Sequence, residues 1–157
     1  MKILIIAALI FSASFTSGIA QQDSPQRDNT SGLPSASAVP KELYAKSSNF
    51  FKALILSNIE DGYTNLLQQS PIRDNKEQFK RLIDQTKRSF ELYGNAKGYE
   101  RVDEEYATES LMRLRYITIH DNLPMRWVFT YYKSPKHGWM IINIKFDDEA
   151  EVLFKNG

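Results

Sequence analysis

LMRLRYITIHDNLPMRWVFTYYKSPKHGWMIINIKF, residues 111–146, is the stretch whose reading decides the fold. It divides into three segments dense in β-branched and aromatic side chains: Leu111 to His120, Met125 to Lys133 and Trp139 to Phe146. Such residues fit a pleated, half-buried surface. Asp121-Asn122-Leu123-Pro124 and Ser134-Pro135-Lys136-His137-Gly138 separate the segments. These clusters hold the residue types that tight connections require. Connections this short join antiparallel neighbours, because parallel strands need a long crossover. The stretch therefore predicts a three-stranded antiparallel meander.

Upstream of it, Gly98 to Ala107 is polar and charged, as suits an edge strand. Before that the period changes from two to 3.6. Leu43, Ser47, Phe50, Phe51, Leu54 and Asn58 recur at helical spacing after Pro40, a residue suited to a first helical turn. A break is expected near Asp61-Gly62, then a shorter helix from Tyr63 to Gln69, ended by Ser70-Pro71. A second long helix is expected from Asp74 as N-cap, with Glu77 completing a capping box. Phe79, Leu82, Ile83, Thr86, Phe90 and Tyr93 form its apolar face, charged residues cover the other, and Gly94 ends it. Downstream, Asp147 to Glu149 reads as a turn and Glu151 to Lys155 as a short tail strand. Helices followed by antiparallel strands make an α+β domain, with the N-terminal helices packed on one face of the sheet.

The remaining chain is not part of that domain. Lys2, the apolar run Ile3 to Phe15, and Gly18 and Ala20 before Gln21 have the pattern of a secretory signal peptide over residues 1–20. The run is shorter than the roughly 20 residues that span a bilayer. Residues 21–40 are a polar linker, expected to be disordered because they bury too little to offset their ordering entropy. The single α+β domain is then residues 41–157. The chain has no cysteine, which excludes disulfide scaffolds, thiol catalysis and zinc–thiolate sites. An exported domain of this kind, periplasmic or secreted, stands on its core alone. Without Lys2 the chain carries 19 basic and 19 acidic residues, so no basic excess points to nucleic acid.

Pairing the meander through Asn122-Leu123 and through Pro135 to Gly138 sorts its side chains onto two faces. One face carries Met112, Leu114, Tyr116, Trp127, Phe129, Tyr131, Met140, Ile142, Ile144 and Phe146, and should meet the helices. The other mixes Arg113, Arg115, Thr130, Tyr132, Trp139, Ile141 and Asn143 with Ile117, Arg126, Val128 and Lys145. An apolar patch rimmed by charge marks an interaction surface. Arg113, Arg115, Thr130, Tyr132, Trp139, Ile141 and Asn143 are therefore the candidate ligand or partner surface. Arg113 and Arg115, one strand repeat apart, can clasp a carboxylate or phosphate, or pair with Glu104, Glu105 or Glu109.

Gly62-Tyr63, Tyr93-Gly94, Gly98-Tyr99-Glu100, Arg126-Trp127-Val128-Phe129, Gly138-Trp139-Met140-Ile141-Ile142-Asn143 and Phe146-Asp147-Asp148, in this order, resemble a known group. It comprises small exported bacterial proteins of unknown function in the nuclear-transport-factor-like (cystatin-like) superfamily. The resemblance covers about Leu43 to Phe154. It implies a cone: a strongly curved sheet around a long helix, with a cavity inside and dimerisation through the outer sheet face. Ketosteroid isomerase and polyketide cyclases share that fold, but their cavity acids and tyrosine donors match no positions here, so no catalytic residue is carried over.

The chemistry-bearing residues are sparse. His120 and His137, the only histidines, lie at opposite ends of the middle strand, on the order of 30 Å apart, and read as turn residues. Asp147, Asp148 and Glu149 match no calcium-loop spacing and read as a solvated turn. Tyr63, Tyr116 and Tyr131 read as core tyrosines with satisfied hydroxyls. No catalytic residue, metal or cofactor is assigned. The expected function is that of an exported non-catalytic domain binding a small ligand or a protein partner, including a second copy of itself. The alternative is a cavity enzyme of the cone-fold lyase or isomerase type.

Overall fold

A computed structural model of the chain describes residues 39–154. The stretch read as a signal peptide and nearly all of the expected linker lie outside the described residues, as does the end of the expected tail strand. Four helical segments precede four strands: α1 (Lys41–Ile55), α2 (Ile59–Leu66), α3 (Pro71–Asp74), α4 (Lys76–Tyr93), β1 (Gly98–Thr108), β2 (Leu111–Ile119), β3 (Met125–Ser134) and β4 (Gly138–Asp147). The sheet order is β1-β2-β3-β4, every pair antiparallel. This is the α+β arrangement expected from the strand-forming stretch and the helical period before it. No described helix is long and apolar enough to cross a membrane.

The core forms where α1 lies on the sheet. Its buried stripe is Leu43, Ser47, Phe50, Phe51 and Leu54, the spacing legible in the sequence. Phe51 stacks on Tyr99 of β1 at 5.0 Å and on Phe129 of β3 at 5.6 Å, and meets Tyr116 of β2 at 4.9 Å. Phe50 meets Trp127 and Phe129 edge-on at 5.5 and 5.6 Å, the geometry aromatic quadrupoles favour. Val39, at the end of the stretch read as linker, belongs to this core, so the packed domain starts before residue 41.

Local chemistry moved several boundaries. The helical break falls at Leu56 to Asn58, not Asp61-Gly62. Ser57 takes a positive φ of 61° there, and Gly62 lies inside α2, close against Ala53 and Phe50. Ser70 does not end a helix but caps α3, accepting from the Ile72 amide, with Pro71 at the first position. The N-cap of α4 is Asn75, whose side chain accepts from the Gln78 amide at 3.0 Å; Asp74 is the last residue of α3. Residues Ala150–Leu153 form a 3-10 turn, not a tail strand.

The largest correction concerns β4. Thr130 pairs with Asn143, but the next residue, Tyr131, pairs with Ile141. Ile142 is the extra residue of a β-bulge, which shifts the alternation by one for the rest of the strand. Ile141 is therefore buried at 2% exposure, and Trp139 packs against the core. Met140 pairs with Tyr132, and Ile142 is 38% exposed. Trp139 and Ile141 belong to the helix-covered side, opposite to the sequence expectation. Val102 and Ala107 are skipped in the same way in β1.

Candidate functional site

Among the described residues the inner side of the sheet is filled by side chains. Trp127, Phe129, Leu114, Met112 and Tyr131 are at most 1% exposed, filled from above by Phe50, Phe51 and Tyr63. The tyrosine hydroxyls are occupied: Tyr63 with Thr86 at 2.8 Å and Tyr131 with Ser47 at 3.0 Å. Burial pushes both phenols well above their ordinary range, which keeps them neutral. A crevice of about 10 Å³ between Ser70, Tyr131, Trp139 and Ile141 is barely one water in size. No buried side-chain polar atom among the described residues lacks a partner.

The outer side is different, and its residues follow from the register. Asp103, Arg115, Val128 and Lys145 form one row across the four strands; Glu105, Arg113, Thr130 and Asn143 form the next. Arg126 stands one repeat from Val128 along β3. Val128 is shorter than its neighbours, so the long basic side chains stand as walls around it. The result is a trough of about 230 Å³ lined by Arg113, Arg115, Arg126, Val128, Thr130, Asn143 and Lys145, with no carboxylate in its lining. Arg113, Arg115, Thr130 and Asn143 are thus brought together as the sequence predicted. Tyr132 lies on the same face beside the trough, paired with Leu111 and Met140.

Two of the cations are held from behind. Arg115 reaches Asp103 at 2.8 Å through Nη1 and also binds Glu105 through Nη2. Its partial burial disfavours the charge, but the two carboxylates outweigh this and raise its pKa. Arg126 makes a two-pronged pair with Asp147, Nε to Oδ1 at 2.8 Å and Nη2 to Oδ2 at 2.6 Å. That guanidinium holds the Asp147 carboxyl below its ordinary value. Arg113 is looser, with Glu105 at 3.9 Å and a side chain 55% exposed. Among the described residues Lys145 has no ion-pair partner, and the side chains of Thr130 and Asn143 have no hydrogen-bond partner.

A second hollow of about 510 Å³ adjoins the trough across Arg115 and Arg126. It is lined on its other side by Asp103, Glu104 and Glu105, and by Val152 and Leu153 of the C-terminal turn. Arg126 and Lys145 were not among the site residues read from the sequence. The signal that places them is register: Lys145 stands across Val128 from Arg115, and Arg126 one repeat from Val128 along β3.

Of the remaining sequence candidates, His137 is exposed in the connection between β3 and β4, whereas His120 and Asp148 have structural partners. His120 lies in the connection after β2, as expected, but it is buried at 8% exposure, between Thr118 and the Gly94 carbonyl. Asp148 accepts from the Tyr93 hydroxyl at 2.8 Å. No group of acidic or histidine side chains suited to a metal occurs among the described residues. Comparison with family models, with curated proteins and with solved structures finds no match for this chain.

Proposed function

We propose that this chain is an exported, non-catalytic binding domain that works through the outer face of its sheet. Its ligand is a small molecule or a protein partner, a second copy of the chain included. The observation that carries this reading is the trough: cations fixed by carboxylates behind them, open hydrogen-bonding groups at Thr130 and Asn143, and half-exposed Tyr132 alongside. Groups held in place before binding lose little freedom on binding. The aromatic filling of the inner side leaves the outer face as the place for an encounter, which is why a binding role is preferred to cavity catalysis. Helices followed by a four-stranded meander are also compatible with the nuclear-transport-factor-like resemblance. The pattern of residues 1–20 supports export, and a mature N-terminus at Gln21, found by mass spectrometry of the secreted or periplasmic fraction, tests it.

The experiment for the face compares the wild type with Thr130→Glu/Tyr132→Glu and with Lys87→Glu on the far side of α4. Light scattering over a concentration series reads self-association, and affinity capture from the native extract reads other partners. Loss of one of these in the outer-face variant alone is expected. Identical behaviour of all three proteins overturns the partner and self-association part of the reading.

A further inference from the structure

We infer that the trough around Val128 binds a compact oxyanion of the phosphate class, as inorganic phosphate or as a phosphate monoester. This rests on the reading of the outer face as the binding surface and names its ligand chemistry. The geometry is that of a ring. Cross-strand pairing puts Arg115 and Lys145 on either side of Val128, with Arg126 and Thr130 one repeat away along β3. Arg113 and Asn143 complete the ring from the Thr130 row. Neighbouring strands lie about 4.8 Å apart, so long side chains rooted at these positions converge on a point above Val128.

The occupant follows from the charges. Four cations and two neutral hydrogen-bonding side chains line the trough, and no carboxylate does. The carboxylates on this face stand outside the ring, at Asp103, Glu105, Asp147 and Glu149, where they fix Arg115 and Arg126. Each of those two guanidiniums gives two of its five N–H donors to these anchors, which fixes its orientation. They supply field and shape, while Arg113 and Lys145 remain to grip. Guanidinium and ammonium donors together with a hydroxyl and an amide suit a tetrahedral, multiply charged oxyanion. A volume of about 230 Å³ fits a small phosphorylated molecule better than a drug-sized apolar ligand. Nucleic acid is disfavoured by the balanced charge of the chain.

The test is a ¹⁵N–¹H NMR titration of the full folded protein at low ionic strength. Orthophosphate, glycerol 3-phosphate and acetate are the probes, and vesicles of phosphatidylcholine with and without phosphatidic acid are used in sedimentation. Saturable shifts at Val128, Thr130, Asn143 and Lys145 with either phosphate probe, and not with acetate, are expected. Arg113→Gln/Lys145→Gln should weaken binding about tenfold or more while leaving the spectrum folded, and Lys87→Gln/Arg88→Gln on α4 should not. Co-sedimentation confined to vesicles with phosphatidic acid, and lost in Arg113→Gln/Lys145→Gln, assigns the phosphate to a lipid headgroup; its absence assigns it to a soluble molecule. Absent or unsaturable shifts, equal binding of acetate, or equal weakening by the α4 variant overturns the inference. If these fail while Thr130→Glu/Tyr132→Glu still abolishes capture or self-association, only the ligand class is wrong and the binding face stands. If phosphate binds as expected but that variant changes neither, the partner part of the earlier reading falls by itself.

Discussion

His120 shows how one side chain can tie a helix end to the sheet. Trp127 can only donate, so its Nε1–H gives to Thr118 Oγ1 at 2.9 Å. Thr118 then directs its own proton to His120 Nε2 at 2.9 Å, which places the imidazole proton on Nδ1, donating to the Gly94 carbonyl at 2.7 Å. Gly94 ends α4 at a φ of 88°, where a side chain is strained and would crowd Asp121. The chain of donors is complete, and Phe90 covers the ring edge-on at 5.2 Å. Replacing His120 with Ala strands Thr118 and the Gly94 carbonyl. The expected cost is about 1–3 kcal/mol, read as a lower urea midpoint with unchanged slope. The sequence placed His120 correctly at the strand end but not inside. Its partner carbonyl lies 26 positions earlier, and nothing in the local pattern shows that approach.

At the scale of the element, β4 separates what alternation reveals from what it hides. From Ile144 to Asp147 the simple period holds, and Ile144 is buried as predicted. Before Ile142 it inverts, because a bulge adds a residue without leaving a mark in the sequence. The outer-face positions of Arg113 and Arg115 on β2, of Thr130 and Tyr132 on β3, and of Asn143 on β4 were legible; those of Trp139 and Ile141, beyond the bulge in β4, were not. This makes a paired prediction. Ile141→Ala should cost about 2–5 kcal/mol, since it opens the core, whereas Ile142→Ala should stay within about 0.5 kcal/mol. Equal costs in denaturant unfolding would contradict the bulge. The end of β4 adds a pH dependence. Arg126 holds Asp147 below its ordinary value of 3.8, so the pair's contribution is present above that value and is lost as pH falls through the lower folded one. Asp147→Asn should therefore be less stable than wild type at neutral pH, and the difference should shrink in acid below about pH 4, where wild type loses the same contribution. A difference that stays constant down to strong acid would contradict the sign.

For the molecule as a whole, a single aromatic cluster links α1 to β1, β2 and β3 through Phe51, and to α2 through the contact of Phe50 with Tyr63 at 4.9 Å. Tyr63 in turn carries the link to α4 through Thr86. Helices and sheet share one core, so neither has an apolar interior of its own to fall back on. Unfolding should then be one cooperative transition. The two tryptophans make this measurable. Trp127 is fully buried at the centre of the cluster, whereas Trp139 stands at its margin. In a Trp139→Phe variant, fluorescence reports Trp127 alone, while far-UV circular dichroism is dominated by the helices. Coincident urea transitions from the two probes are expected. Phe51→Ala, which removes the ring common to three strands, should lower both midpoints together by a loss of about 3–5 kcal/mol. That is a large part of the roughly 5–15 kcal/mol by which domains are stable. Helical signal persisting after Trp127 is exposed would show that the helices hold together without the sheet, and would divide the core at the α1–β3 contact.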